Sequence, residues 1–424
     1  MNRRPEDVRA ALRQRQEIAL VDLREEDPYA QAHPLWAVQL AASRLAIDAP
    51  WRLPRRDVPV VLYDDGEGLV EPALQTLRAL GWTDVQALAG GLDGWRRSGG
   101  ELFRDVNVPS KAFGELVEHE CGTPSLPAEA VKALLDSGAD VVVLDARRFE
   151  EFHTMNIPGG TSVPGAELVL RARDLAPDPA THIIVNCAGR TRSLIGAQSL
   201  VNAGLPNPVH ALRNGTIGWL LAGFQLDRGQ SRRFGPVSDT SLASARTAAQ
   251  ALAARAGAQR IDAAQLQRWA TDPTRTLYRW DVRTPEEYAA GHLPGFGSAP
   301  GGQLVQETDV FAAVRGARIV LCDGGGHDDG VRAPMTAHWL AQMGWEVAWL
   351  ADMPAAAFTE TGPWRPAPGG VAVLPTPHAQ RYRRPYEGTD APRAAMQAYL
   401  DWEFGLVAQL GRDGTHNFGV LLAG

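Results

Sequence analysis

The chain of 424 residues contains only three cysteines, Cys121, Cys187 and Cys322. So sparse and odd a set argues against a disulfide framework. No C-x-x-C pair occurs, and no His/Cys cluster has the spacing of a zinc site. If sulfur matters here, it matters as a reactive thiol. The chain also lacks any apolar run approaching the ~20 residues that span a bilayer. Its opening, MNRRPEDVRAAL, turns acidic and amphipathic at once, without the apolar segment of a secretory signal. A soluble, cytoplasmic protein with no membrane partner is therefore expected. Basic charge is not in excess: 42 Lys and Arg stand against 49 Asp and Glu, a net charge of −7. This argues against a nucleic-acid partner but leaves room for a local basic pocket. The length suggests roughly two to four domains.

What the chain does have is an internal repeat. Three apolar stretches end in Asp-x-Arg: EIALVDLR with Asp22 and Arg24, DVVVLDAR with Asp145 and Arg147, and TLYRWDVR with Asp281 and Arg283. An acidic pair and a proline turn follow in the second and third. A second apolar run comes next in each, PVVLY, HIIVN or RIVLC. The residue just past it is Asp64, Cys187 or Asp323, in every case 42 positions after the anchoring aspartate. A threefold match fixes an alignment without a second sequence. Each unit then shows a helical pattern closed by a glycine (Gly81, Gly204, Gly344) suited to the left-handed cap position, and a short strand. A probable helix precedes each unit, with Ser125 and Asp262 as N-caps. Strands alternating with helices imply an α/β architecture with mostly parallel sheets.

The expected fold is three tandem α/β units, residues 1–105, 122–232 and 258–365, followed by a tail, 366–424. RDVNVPSKAFGELVEHECGTP reads as the first linker. RGQSRRFGPVSDTS and an Ala-rich helix, LASARTAAQALAARAG, form the second. The tail is Pro/Gly-rich, then basic, then helical. Its apolar stripe is expected to dock on a domain, without chemistry of its own.

Chemistry is expected at NCAGRTRS, Asn186 to Ser193. In an open α/β sheet, ligands bind beyond the carboxyl ends of the strands. A tight loop there can turn successive backbone N–H groups inward as an anion nest, and the next helix adds positive potential. Both favour thiolate over thiol, as do nearby arginines. Gly189 allows the turn, Arg190 and Arg192 can fork onto an oxyanion, and Thr191 and Ser193 add hydroxyl donors. A lone Cys at a strand end is ordinarily a small buried hydrophobe. The strand, glycine, arginine pair and helix together favour a nucleophile that receives an anionic substrate.

The three units resemble rhodanese domains, the sulfurtransferase module. LDARRFEEFHTMNIPGG, WDVRTPEEYAAGHLPGF, IIVNCAGRTRS, LAGGLDGW and LRNGTIGW carry the resemblance, over about residues 5–365. The resemblance implies that Cys187 takes sulfane sulfur from thiosulfate or a similar donor as a persulfide. It then passes that sulfur to cyanide or to a small or protein thiol, with no cofactor or metal. The amides of Ala188 to Ser193 would cradle the persulfide, and Arg147 matches a position that helps recognise anions in some members. The family's six-residue loop, here closed by Arg192, goes with sulfur transfer. The C-x5-R loop of the related phosphatases would need an arginine where Ser193 stands. A phosphatase or arsenate chemistry, and a non-catalytic persulfide carrier or scaffold, are the alternatives.

Asp64 and Asp323 cannot carry sulfane sulfur, so the first and third units are expected to be inactive. Their acidic loops repel an anionic donor. Cys322 falls one position before the thiol site and is expected to be structural. Cys121 reads as an incidental linker thiol rather than a sulfur relay. His327, Asp328 and Asp329 offer possible metal ligands, but such runs are ordinarily solvated loops. Oligomeric state is not legible.

Overall fold

A computed structural model of the chain describes residues 2–325, 330–365, 381–387 and 390–422. The metal reading of His327, Asp328 and Asp329 lies outside these residues. The first five strands are β1 (Asn2–Arg3), β2 (Ala19–Asp22), β3 (Ala37–Gln39), β4 (Val60–Tyr63) and β5 (Val85–Leu88). The next five are β6 (Ser125–Leu126), β7 (Val141–Asp145), β8 (Thr161–Ser162), β9 (His182–Asn186) and β10 (Val209–Leu212). The last five are β11 (Gln259–Ile261), β12 (Leu277–Asp281), β13 (Gly297–Ser298), β14 (Arg318–Cys322) and β15 (Glu346–Leu350). Each set forms its own parallel sheet. The orders are β1-β5-β4-β2-β3, β6-β10-β9-β7-β8 and β11-β15-β14-β12-β13, one permutation used three times. Helices cover the sheets, so the strands read as nearly continuous apolar runs.

The register bears out the alignment drawn from the 42-residue spacing. Asp22 pairs with Tyr63, Asp145 with Asn186, and Asp281 with Cys322. Cys322 is thus the last residue of its strand, and Asp323 stands where Cys187 stands in the middle unit. Gly81, Gly204 and Gly344 all have positive φ (97°, 66° and 83°) at the ends of the helices they close. The Asp-x-Arg motif also has one geometry. In each unit the arginine forks onto its aspartate and donates to a carbonyl eight residues on, of Ala32, Met155 or Gly291.

Two local expectations change. Ser125 belongs to β6, and Pro127 precedes the helix Ala128–Asp136, which has no side-chain cap. Asp262 does cap its helix, accepting from the Gln265 amide at 2.7 Å. The first linker is no linker in the ordinary sense, because Val108–Cys121 is a helix whose residues Ser110 to Glu115 are all buried. Phe113 and Val117 join an apolar cluster that also holds Leu45, Leu53, Tyr278 and Trp280, from the first and third units. Packing of this kind cannot be read from a segment whose amphipathic stripe is blurred because it is enclosed on several sides. Finally, the tail forms the helices Arg393–Phe404 and Leu406–Asp413. Leu406 and Leu410 enter the core of the first unit, while Met396, Tyr399 and Leu400 pack on Ile217 of the middle unit.

Candidate functional site

β9 lies between β10 and β7, and Cys187 is the residue after its end. The helix Thr191–Asn202 starts four positions later. The turn between them is pinned by its carbonyls. The Thr216 amide donates to the Cys187 carbonyl at 2.9 Å and the Ile217 amide to the Ala188 carbonyl at 3.1 Å. The Thr216 hydroxyl also donates to Ala188 at 3.2 Å, and the Ser193 hydroxyl to the Arg190 carbonyl at 2.8 Å. Carbonyls engaged on one side of a tight loop favour N–H groups turned to the other, the arrangement of an anion nest.

Gly215 makes that approach possible. Its φ is +54°, and a Cβ there would lie 2.3 Å from the Cys187 carbonyl oxygen. Gly91 does the same in the first unit, with φ +59° and a Cβ position 2.8 Å from the Asp64 carbonyl oxygen. These are the glycines of LRNGTIGW and LAGGLDGW.

Cys187 is 2% exposed. Its thiol donates to the Ser193 hydroxyl oxygen at 3.4 Å. Burial pushes the thiol up from its ordinary range; the Arg192 charge and the hydroxyl and amide of Ser193 oppose this, and Glu403 adds to it. The expectation of a ready thiolate is therefore corrected for the resting site. Desolvation outweighs the nearby arginine, and both loop arginines already hold carboxylates.

Arg192 forks onto Glu151, at 2.7 and 2.8 Å. Arg190 forks onto Glu115 at 2.7 and 2.9 Å, also meets Glu118, and lies over the Phe404 ring at 4.1 Å. The guanidinium of Arg147 is committed to Asp145 and the Met155 carbonyl, as its counterparts are in the units without the thiol. The loop thus gathers Cys187, Ala188, Gly189, Thr191 and Ser193, whereas Arg190, Arg192 and Arg147 are each held in an ion pair. Arg192 and Arg147 both border an open cavity of about 450 Å³, lined also by Gln306 of the third unit and by Arg381, Arg384 and Tyr386 of the tail.

In the other two units the carboxylate accepts from amides of its own loop. Asp64 accepts from the amides of Gly66 at 3.1 Å and Leu69 at 2.6 Å. Asp323 accepts from the amides of Val331 and Ala333, both at 2.9 Å. An internal anion therefore occupies the amides that a ligand would use. The Arg332–Glu287 pair of the third unit, at 3.1 Å, repeats Arg192–Glu151, so that pair does not depend on a thiol. Cys322 is fully buried, and burial pushes its thiol far up. Cys121 ends its helix and donates weakly to the Leu421 carbonyl. Seven residues of rise, about 10 Å, separate it from Gly114, which packs on Thr191.

Several residues at the site carry no sequence signal: Glu115 and Glu118 from the presumed linker, and Tyr399 and Glu403 from the tail. Glu151 alone was visible, as part of an acidic pair after Arg147. Among the described residues, no helix is long and apolar enough to cross a membrane.

A family model described as "Rhodanese-like domain" matches residues 4–98 and 127–222. A crystal structure of thiosulfate sulfurtransferase from Pseudomonas aeruginosa is similar over 99% of each chain, with 52% identity and a TM-score of 0.94. A Bacillus subtilis protein named as a candidate sulfur carrier, YrkF, is 26% identical over 133 residues, 28% of this chain and 69% of its own length. The third unit is tied to the other two by its strand order and by the shared geometry of its Asp-x-Arg motif. The chain belongs to the rhodanese superfamily, the sulfurtransferase module that its repeated segments resemble.

Proposed function

We propose that the middle unit moves sulfane sulfur from thiosulfate to a thiol acceptor through a persulfide on Cys187, and that the first and third units do not turn over. The observation that carries this reading is the contrast between the three equivalent positions. Asp64 and Asp323 accept from amides of their own loops, whereas Cys187 presents a thiol at a loop whose Cys187 and Ala188 carbonyls are held by the amides of Thr216 and Ile217. The name of the Pseudomonas relative supports thiosulfate as donor.

The reaction has two displacements. The Cys187 thiolate attacks the outer sulfur of thiosulfate, the S–S bond breaks, and sulfite leaves with the electron pair. The new cysteine persulfide is an anion, and donors fixed in advance around a developing charge stabilise it without reorganisation. An acceptor thiolate, or cyanide in the test tube, then attacks the outer sulfur, and Cys187 leaves as thiolate. Because burial holds the Cys187 thiol up, thiosulfate must meet a minor ionised fraction at neutral pH, and the rate rises with pH until that fraction saturates. Three free cysteines suit a reducing, cytoplasmic setting.

The testing experiment compares sulfite release and thiocyanate formation by the full chain, by Cys187→Ser and by a Cys121→Ser/Cys322→Ser double variant. Loss confined to Cys187→Ser supports the reading. Full activity of Cys187→Ser sinks it. A carrier fed by another protein would show a loaded Cys187 but negligible turnover of thiosulfate.

A further inference from the structure

We infer that Glu403 is a positioning residue of the sulfur site, brought to Cys187 by the C-terminal tail, where it seats the loop at Gly189 and sets the charge that the sulfur faces. The inference rests on the reading of Cys187 given above and adds a part of the chain that its repeat does not contain.

The helix Arg393–Phe404 lies across the helix Gly215–Leu221, the same helix whose first amides pin the Cys187 and Ala188 carbonyls. Arg393 donates to the Leu220 and Leu221 carbonyls at the far end of that helix, which fixes the tail along it. The next turns of the tail then reach the loop itself. A Cβ built on Gly189 would lie 3.2 Å from both Glu403 Oε2 and Tyr399 Cε1. Gly189 has no left-handed φ, so the expectation that the turn needs it is corrected: it is the approach of the tail that a side chain there would crowd.

Glu403 is 1% exposed. Tyr399 donates to its Oε1 at 2.8 Å. Its Oε2, the oxygen nearer Gly189, has no hydrogen-bond partner among the described residues. A buried unpaired oxygen is costly, and such a group invites a functional account. The groups around it leave it without a cation of its own. On the helix Val108–Cys121, Lys111 is paired with Asp105 at 2.6 Å, and Glu115 and Glu118 both hold Arg190 of the loop. Tyr386 packs on Tyr399 from the tail, and the Cys187 thiol of the loop feels the charge of Glu403. Burial, first, pushes the Glu403 carboxyl up to about 8; Lys111, Tyr399 and Arg190 oppose the shift, and Glu115 adds to it.

A neutral Glu403 leaves the positive potential of the loop intact for thiolate, thiosulfate and persulfide. Ionised, it places a second negative charge beside them in a poorly screened site. Sulfur transfer in this protein should then rise with pH as Cys187 ionises, but less steeply once Glu403, which ionises first, carries its charge. Removing the charge at 403 should restore the full rise.

The test measures kcat/KM for thiosulfate, by sulfite release, from about pH 6 to about pH 10 for the full chain and for Glu403→Gln. Thiosulfate does not titrate in this range. The ratio of Glu403→Gln to wild type is expected to be near one at about pH 6 and to climb to roughly three- to tenfold by about pH 10. Tyr399→Phe, which keeps the ring over Gly189 and removes the donor that favours the carboxylate, should keep the steep rise to higher pH than the wild type does. If Glu403→Gln does not fold, this second variant decides the matter. Superimposable normalised profiles in the folded variants overturn the inference about Glu403. Absence of sulfite release by every protein, wild type included, overturns instead the reading of the function.

Discussion

Arg192 and Glu151 face each other in a two-pronged ion pair, with bonds of 2.7 and 2.8 Å, beside the Cys187 loop. The carboxylate cancels much of the charge that would otherwise stabilise a thiolate. Arg192 in turn holds Glu151 well below the ordinary carboxylate range, despite its burial. Glu151→Gln keeps the shape of the pair and removes the negative charge. It should move the rising limb of the kcat/KM profile for thiosulfate to lower pH, by on the order of one unit. A pH series of sulfite release checks this; a shift toward higher pH would show that Glu151 organises Arg192 more than it neutralises it.

Asp64 and Asp323 lead to the opposite kind of prediction. Asp323 accepts from buried amides, and removing it leaves those donors unpaired, whereas the amides on Asp64 are partly exposed and can turn to water. Asp323→Ala should cost about 1–3 kcal/mol of stability and Asp64→Ala less, neither changing sulfite release. Urea denaturation with a parallel activity assay measures both. Loss of turnover with stability intact would give these units a part in the chemistry.

Gly215 tests how the loop is shaped. Its φ of +54° and the 2.3 Å separation between a built Cβ and the Cys187 carbonyl leave no room for alanine. Gly215→Ala should destabilise the protein by more than about 1 kcal/mol. It should also lower kcat/KM for thiosulfate more than Gly204→Ala does, whose Cβ meets nothing within 4 Å. The two melting curves and rate constants make the comparison.

Much of this was legible in the sequence. The three units declared themselves because Asp22, Asp145 and Asp281 keep one distance to the end of the next strand, and strand pairing is set by such registers. The loop was legible because its chemistry is local: a strand end, Cys187, Gly189 and Arg192 in six residues. What closes over it was not. Glu115 and Lys111 sit in a segment that reads as a linker, and Tyr399 and Glu403 in a tail more than two hundred residues away. Their burial depends on docking that no local pattern encodes. The same blindness produced the expectation of a ready thiolate, since Arg190 and Arg192 look free until Glu115, Glu118 and Glu151 are placed beside them.

His338 offers a prediction about stability alone. It is buried, with Nδ1 3.0 Å from the Leu252 carbonyl, and burial lowers it from the usual imidazole range to about 4. The neutral form is favoured in the folded state, so its contribution is full above about pH 6.5 and is lost as pH falls toward about 4. The urea midpoint should fall over that window by an amount equivalent to at most about 3 kcal/mol, and His338→Gln should flatten the fall. An unchanged slope in a folded variant would assign the acid sensitivity elsewhere.

The central claim is that sulfur rests on one of the three cysteines. Incubating the full chain with thiosulfate, digesting it without reductant and weighing the three cysteine peptides before and after cyanide tests it most directly. One extra sulfur on the Cys187 peptide, removed by cyanide, is the result expected. Sulfur on Cys322 or Cys121 instead, or on none of the three, would contradict it.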